Sequence, residues 1–376
     1  MLRPCTQLFA LIALLAGWAA AAQDTPQQIE LGKRLFFDTR LSQPSGQSCA
    51  TCHSPAAGFA TPAEGMRNGF SVGADGKSLG LRNTPTLAYH VLSPKPAFDK
   101  TAKTVVGGLF WDQRAADAPT QAAGPLLNPK EMGNKDKAAV VKKLVDAGYE
   151  KDLAGAFGVA TLVDVESRFS ALTRALSAYQ RSAEVNPFSS KFDAYLNLEA
   201  SLTVQEMRGL KLFNSKKAGN CAACHISEPE QNKPPLFTDF TNDNLGVPRN
   251  PQNPSGARYT DPGLAGSELA RQLLTQAKMN PQDYAGRFKV PTLRNIALTA
   301  PYMHNGVFKN LKEVMRFYNT ACVAGNPDKW PSAEVEKGRN CSEMGDLKLS
   351  EAQIDDIIAF MQTLTDGYAK PKRPAK

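Results

Sequence analysis

The chain has 376 residues, 42% of them hydrophobic and 21% charged, a balance that suits a folded protein with room for two domains of ordinary size. Its net charge of +8 is mild and scattered. The densest basic run, AKPKRPAK at the C-terminus, reads as a frayed tail, and no basic stripe is interleaved with aromatics, which sets nucleic-acid binding aside.

The N-terminus, MLRPCTQLFALIALLAGWAAAAQD, has the three parts of a secretory signal. Arg3 gives the positive start, residues 8–16 the apolar run, and Ala20-Ala21-Ala22 the small-residue cleavage site. The run falls short of the ~20 residues that cross a bilayer. Cys5 precedes it, the wrong place for a lipid-bearing cysteine. Residues 1–22 are therefore expected to be removed near Ala22, leaving an exported protein with no membrane span.

Two later stretches repeat each other: ELGKRLFFDTRLSQPSGQSCATCH (30–53) and EMRGLKLFNSKKAGNCAACH (206–225). Each has an acidic start, a Gly, a Leu-Phe pair and a closing Cys-x-x-Cys-His. RNTPTL (82–87) is echoed by VPTLRN (290–295). Apolar residues at three- and four-residue spacing predict helices in VESRFSALTRALSAYQRS (165–182) and SEAQIDDIIAFMQTLT (350–365), one closing each half. Ser201 or Thr203, with Glu206, makes a capping box that opens the second unit. The pattern predicts a tandem duplication, with an N-terminal domain over 23–200 and a C-terminal domain over 201–376. No run alternates apolar and polar residues at strand length, so the expected class is mainly α with long loops. Those at 54–110 and 226–265 are rich in Pro, Gly and Asn, and long enough to wrap a large prosthetic group.

Cys-x-x-Cys-His is the attachment signature of c-type haem. Two thiols one helical turn apart add to the two vinyl groups, and the following histidine reaches under the iron. The signature occurs as Cys49-Ala50-Thr51-Cys52-His53 and as Cys221-Ala222-Ala223-Cys224-His225. A redox dithiol would need a βαβ context, and a zinc site would place its two Cys pairs close together; neither pattern is present. Covalent haem attachment outside the cytoplasm also agrees with the export signal. Two covalently bound haems c are the expected cofactors. The remaining pair, Cys322 and Cys341, flanks VAGNPDKWPSAEVEKGRN and is expected to form a disulfide in an oxidising compartment.

The two motifs, with FWDQRAADAPTQAAGPLLNPKEMG (110–133) between them, make the chain similar to the bacterial di-haem cytochrome c peroxidases, a family that includes MauG. The resemblance covers nearly all of the chain beyond the leader. It implies two tandem cytochrome-c-like helical domains with the haems facing a shared interface. By motif, His53 would hold the iron of a peroxide-reactive haem and His225 that of an electron-relaying haem, with Trp111 between them. Gln121 and Glu131 take the distal-pocket positions over the reactive iron. Asn83, in RNTPT, with Thr299 and Pro301, in LTAPYMH, takes the positions that ligate an interdomain calcium ion. The roles make chemical sense: a pocket carboxylic acid can carry a proton from one oxygen of hydrogen peroxide to the other, a contribution of ~10²–10⁴-fold, while a neutral amide orients it. Taken alone, Trp111 would read as core packing, and Glu131, beside Pro129 and Lys130, as a solvated turn.

Two departures from the peroxidase pattern stand out. Many members carry a histidine, in the loop after the first motif, that caps the reactive iron until the other haem is reduced. The loop 54–81 has none, so the first haem is expected to accept peroxide without reductive activation. His90 lies outside that position and reads as structural. Typical peroxidases also place a methionine ligand fourteen residues after the histidine of the PYxHxG turn. Counting from His304, that position is Tyr318, and MauG-type members have tyrosine there. An anionic oxygen ligand should lower the iron potential, within a span of ~0.8 V open to axial ligands. Met315, one turn earlier on the same helical face, and Met303 remain alternatives, as does a core aromatic role for Tyr318. Three functions follow. The first is a periplasmic, hydrogen-peroxide-dependent oxidoreductase acting on a partner protein or organic substrate. The second is a detoxifying peroxidase fed by a small cytochrome, and the third a non-catalytic electron carrier.

Overall fold

The computed structural model describes residues 23–230 and 233–369; the expected leader 1–22 lies outside the described residues. Helices dominate. In the first half they are α1 (Pro26–Phe37), α2 (Cys49–Cys52), α3 (Ala118–Leu127), α4 (Lys137–Asp146), α5 (Glu150–Phe157) and α6 (Val165–Arg181). In the second they are α7 (Lys191–Leu196), α8 (Val204–Asn214), α9 (Glu268–Gln276), α10 (Leu311–Thr320) and α11 (Glu351–Gln362). Among the described residues strands occur as short antiparallel pairs: β1 (Met66–Arg67) with β2 (Phe70–Ser71), β3 (Ala97–Asp99) with β4 (Thr104–Val106), and β5 (Asn242–Asp243) with β6 (Phe288–Lys289).

Local chemistry sets the helix starts. Thr25 and Gln28 form a capping box on α1, Thr203 and Glu206 on α8, and Ser350 and Gln353 on α11, each cap contributing about 1 kcal/mol. Of the two candidate caps for α8, Thr203 is the one used. Asp164 caps α6 through the Ser167 N–H.

The two repeats build matching helix pairs, α1 against α6 and α8 against α11. The shared glycine explains how closely they pack. A Cβ on Gly32 would lie 1.9 Å from the Ala175 carbonyl oxygen, and one on Gly209 would lie 1.9 Å from that of Asp356. No other residue fits at either crossing. The shared Leu-Phe pair follows one turn later: Leu35 and Phe36 are buried in the first core, and Phe213 in the second. Around them gather Leu144, Leu153, Leu172 and Tyr179 in the first half, and Phe237, Ile357, Phe360 and Leu364 in the second. Each large side chain so buried stabilises by roughly 1.5–3 kcal/mol.

The second half also holds a buried ion pair. Arg294, with no exposed side-chain surface, donates from Nη1 and Nη2 to Asp193 at 2.9 and 2.8 Å, and its guanidinium lies 4.9 Å from the Tyr89 ring centroid and 4.6 Å from that of Phe188. Contacts between the halves combine an apolar cluster of Val105 with Leu264, Leu274 and Tyr284 with polar bonds. The Tyr89 hydroxyl donates to Asp366 (2.8 Å), Thr104 Oγ1 to Asn242 Oδ1 (2.8 Å) and Arg82 Nε to Asp261 (2.6 Å).

Cys322 and Cys341 are joined as a disulfide. The segment they close is pinned at several points, because the Glu334 N–H donates to the Val247 carbonyl (2.9 Å) and the Asn340 N–H to that of Asn244 (2.8 Å).

Candidate haem sites

Each Cys-x-x-Cys-His motif is a single turn of helix. In α2 the turn sets Cys49 and Cys52 on one side, and the His53 N–H donates to the Cys49 carbonyl (2.9 Å). In the second motif a 3₁₀ turn over Cys221–Ala223 does the same, with the His225 N–H on the Cys221 carbonyl (2.9 Å). All four thiols are free and half-buried. Burial pushes Cys49, Cys221 and Cys224 up to about 12. It takes Cys52 to about 11, with the Glu131 carboxylate adding to the push.

The histidines are held alike. His53 donates from Nδ1 to the Phe59 carbonyl (2.9 Å), and His225 from Nδ1 to the Phe237 carbonyl (2.8 Å). A carbonyl can only accept, so Nδ1 carries the hydrogen and Nε2 keeps its lone pair, the tautomer that an iron-binding imidazole requires. Burial keeps both rings neutral at pH 7. It lowers His53 to about 4 against the pull of the Phe59 carbonyl, and it lowers His225 as well. Both supporting phenylalanines adopt positive φ, 60° at Phe59 and 52° at Phe237, a conformation that needs outside support. The echoed threonines give it. Thr86 Oγ1 donates to the Gly58 carbonyl (2.6 Å) and Thr292 Oγ1 to the Leu236 carbonyl (2.7 Å). The repeat thus includes the brace behind each histidine, a role that the sequence echo marked without explaining.

A cavity opens from the second motif. Cys221, Cys224, His225, Met315, Tyr318 and Met344 line it, together with Asn83, His90 and Trp111. Tyr318 and Met315 are both on α10 and both face it. Burial, then the Cys224 and Cys221 sulfurs, raises the Tyr318 phenol, and Tyr318 lines the same cavity as both cysteines. That hydroxyl has no hydrogen-bond partner among the described residues.

Trp111 is fixed in the lining by its indole N–H, donated to the Asn83 carbonyl (2.8 Å), and by its own carbonyl, which accepts from the Lys289 N–H (2.8 Å). On the side of the first motif, Glu131 lines a small cavity with Phe110, Arg114 and Pro125. Burial raises its carboxyl above the ordinary range, against the pull of Arg114 and of an Asn128 Nδ2–H bond of 2.9 Å. Gln121, on α3, is 6% exposed, and its amide oxygen has no partner. The Asn83 amide meets the carbonyls of Pro301 (2.6 Å) and Met303 (3.3 Å). Thr299 lines the same cavity but turns its hydroxyl to the Ile296 carbonyl (3.3 Å). His90 is half-buried, and its Nε2 lies 3.3 Å from Gln180 Oε1.

His304 is not directed at either motif. Its Nε2 lies 3.0 Å from Glu334 Oε2, and its ring stacks on Phe288 at 3.6 Å. Glu334 belongs to the disulfide-closed segment, which also brings Val335 and Asn340 into the cavity lining. Asn340 donates from Nδ2 to Asp243 Oδ2 (2.5 Å). Sequence reasoning treated that segment as a pinned loop and missed its part in the cavity wall; the one signal available was that it follows Tyr318 directly.

Two pairs of free thiols, each followed by an imidazole with its Nε2 lone pair available, fit two covalently attached haems. A profile of the di-haem cytochrome c peroxidases matches residues 26–201. The methylamine utilization protein MauG of Paracoccus denitrificans is 38% identical, over 98% of this chain and 96% of that one. The chain belongs to the di-haem cytochrome c peroxidase family. The cytochrome c551 peroxidase of Nitrosomonas europaea is 28% identical over 94% of this chain and 85% of that one. In structure, the diheme peroxidase BthA of Burkholderia thailandensis superposes with a TM-score of 0.80 at 35% identity, covering 92% of this chain and 87% of that chain. This di-haem peroxidase is thus an enzyme, its fold is mainly helical, and its family carries two c-type haems. No helix among the described residues is long and apolar enough to cross a membrane.

Proposed function

We propose that this enzyme reduces hydrogen peroxide at the N-terminal haem and, in the manner of MauG, shares the oxidising equivalents with the second haem for use on a partner protein or an organic substrate in the periplasm. In this reading residues 23–200 and 201–376 are the two haem domains, and residues 1–22 direct export. The haems supply the two-electron reduction of peroxide and the storage of oxidising equivalents.

The chain supplies the rest. Cys49, Cys52, Cys221 and Cys224 would carry the thioether links, with His53 and His225 as iron ligands. The Gln121 amide oxygen is free to accept an O–H of hydrogen peroxide and orient it. Glu131, its carboxyl pushed above the ordinary range by burial, can hand a proton to one oxygen of hydrogen peroxide and recover one from the other. Trp111, held by Asn83 and Lys289, gives charge an aromatic route between the sites. Asn83, Thr299 and Pro301 are the proposed calcium ligands. With its amide turned over, Asn83 would add Oδ1 to the neighbouring carbonyls, and neutral oxygens of this kind suit calcium.

The observation that carries the MauG-type reading is Tyr318, which lines the same cavity as Cys221, Cys224 and His225 and whose hydroxyl has no hydrogen-bond partner among the described residues. We read it as the sixth ligand of the second haem iron. The test is electron paramagnetic resonance of the oxidised, haem-loaded protein, followed by hydrogen peroxide with no added reductant. One high-spin and one low-spin signal are expected. Peroxide alone should change the absorbance of both haems, and Tyr318→Phe should alter the low-spin signal. If Tyr318→Phe leaves that signal intact and Met315→Leu abolishes it, the ligand is Met315 and the enzyme is a detoxifying peroxidase fed by a small cytochrome. The same conclusion follows if peroxide has no effect until one electron is added.

A further inference from the structure

The disulfide-closed segment carries Trp330, half-buried, for which the proposed function has no use. Its ring meets Phe317 edge-on at 5.5 Å, and Phe317 meets Tyr318 edge-on at 6.3 Å. Phe317 is 1% exposed, so an unbroken line of rings runs from the phenol in the haem cavity to the edge of the molecule. Phe308 packs on both Trp330 (5.6 Å) and Phe317 (5.1 Å). Backbone bonds fix the indole in place. The Trp330 N–H donates to Asn326 Oδ1 (2.8 Å), and Asn326 Nδ2 donates back to the Trp330 carbonyl (2.7 Å).

The polar end of the indole is also provided for. Its Nε1–H donates to Thr320 Oγ1 (2.9 Å). That hydroxyl meets the exposed Asp328 carboxylate and lies 2.9 Å from the Arg316 carbonyl. The Nε1–H acceptor would satisfy a packed indole as well, but here its own hydroxyl leads on to a carboxylate. A tryptophan that gives up an electron becomes acidic at Nε1, and needs such a route.

We propose that Trp330 is the surface electron port of the second haem site, and that its donor is a small phenol. This rests on the reading of Tyr318 as the oxygen ligand there. In each passage the indole loses one electron through the Phe317 ring towards Tyr318. Its Nε1 proton leaves through the Thr320 hydroxyl to Asp328. A phenol at the exposed ring edge then returns one electron and one proton, becoming a phenoxyl radical. Two passages supply the two electrons and two protons that convert one hydrogen peroxide into two waters. The acceptor for a proton favours a donor that loses O–H hydrogen over a metal centre, and a ring that is half covered favours a small molecule.

The test uses the full, haem-loaded chain. A few equivalents of hydrogen peroxide are added without reductant, and oxidised side chains are mapped by mass spectrometry. Oxygen should appear on Trp330, and hydroquinone should suppress it. Trp330→Phe keeps the edge-on packing. It should leave the low-spin resonance signal of the second haem unchanged, yet slow the hydroquinone-driven decay of the peroxide-induced absorbance change about tenfold or more, a barrier rise of about 1.4 kcal/mol. Thr320→Val keeps the indole, removes its proton acceptor and should slow the same decay. The port is overturned if Trp330 stays unmodified, or if both variants decay at the wild-type rate. Failure of the Tyr318 reading looks different: Tyr318→Phe then leaves the low-spin signal intact.

Discussion

The two haem motifs share a scaffold, and they differ in what stands opposite. At His53 and at His225 the same parts recur: one helical turn, a carbonyl on Nδ1, a phenylalanine at positive φ, and a threonine hydroxyl behind it. The proposed pocket of the first haem has a buried carboxyl, Glu131, and an amide, Gln121, whose oxygen has no partner. Opposite the second lie a phenol, a methionine and the wall contributed by the disulfide-closed segment. The duplicated part fixes how an imidazole is presented, and the unduplicated part decides what the site can do next. Glu131 suits proton movement, whereas Tyr318 suits holding charge.

The largest expected effect would break the asymmetry. Glu131→Gln keeps the shape and removes the acid, so stopped-flow mixing with hydrogen peroxide should show a rate lower by ~10²–10⁴-fold. In the wild type that rate should fall as pH rises through the elevated carboxyl pKa, and the variant should lack this limb. Next comes a feature peculiar to the second half. Where Arg294 stands, the echoed sequence of the first half has Ala88. Arg294→Met should cost about 3–5 kcal/mol in urea unfolding, because it strands a buried carboxylate. Burial opposes the charge of Asp193, yet Arg294 and Ser190 hold its carboxyl below the ordinary range. Its contribution is therefore full above the unfolded value near ~3.9 and is lost as pH falls through the folded one. The deficit of the variant should narrow on acidification.

Smaller effects test the symmetry itself. Gly32→Ala and Gly209→Ala each force a Cβ onto a backbone carbonyl, and each should cost about 1–3 kcal/mol in thermal unfolding. A clear inequality would mean that the two helix crossings are not equivalent. Thr86→Val and Thr292→Val each remove two hydrogen bonds, one to the carbonyl behind a histidine and one from a backbone N–H, and should cost about 1–3 kcal/mol, with matching shifts in the potential of the neighbouring haem.

Much of this arrangement could be read from local pattern. The Cys-x-x-Cys-His spacing, the capping boxes and the glycines and Leu-Phe pairs of the repeats are short-range features, and they dictate short-range structure. Counting fourteen residues from His304 led to Tyr318, but spacing could not choose between it and Met315, because both line the same cavity. Other features had no local signal. Glu334 reaches His304 from thirty residues away, and Asp193 meets Arg294 across one hundred and one. Such pairs are fixed by how the chain returns on itself. The echoed TPTL and VPTL were visible, yet their meaning required the carbonyls they hold.

The six cysteines of the described chain pose a sorting problem during biosynthesis. Cys322 and Cys341 must be oxidised to each other, while Cys49, Cys52, Cys221 and Cys224 must stay reduced for haem. Within each motif the thiols are only one turn apart, and six cysteines allow fifteen complete pairings. Oxidation before haem delivery would consume the attachment points by thiol–disulfide exchange. Recombinant production should therefore give native protein only where reductant reaches the motifs while the third pair closes, and a host without haem-attachment machinery should accumulate a ladder of misbridged apoprotein. Cys322→Ser with Cys341→Ser would collapse that ladder to the isomers of the two motifs alone.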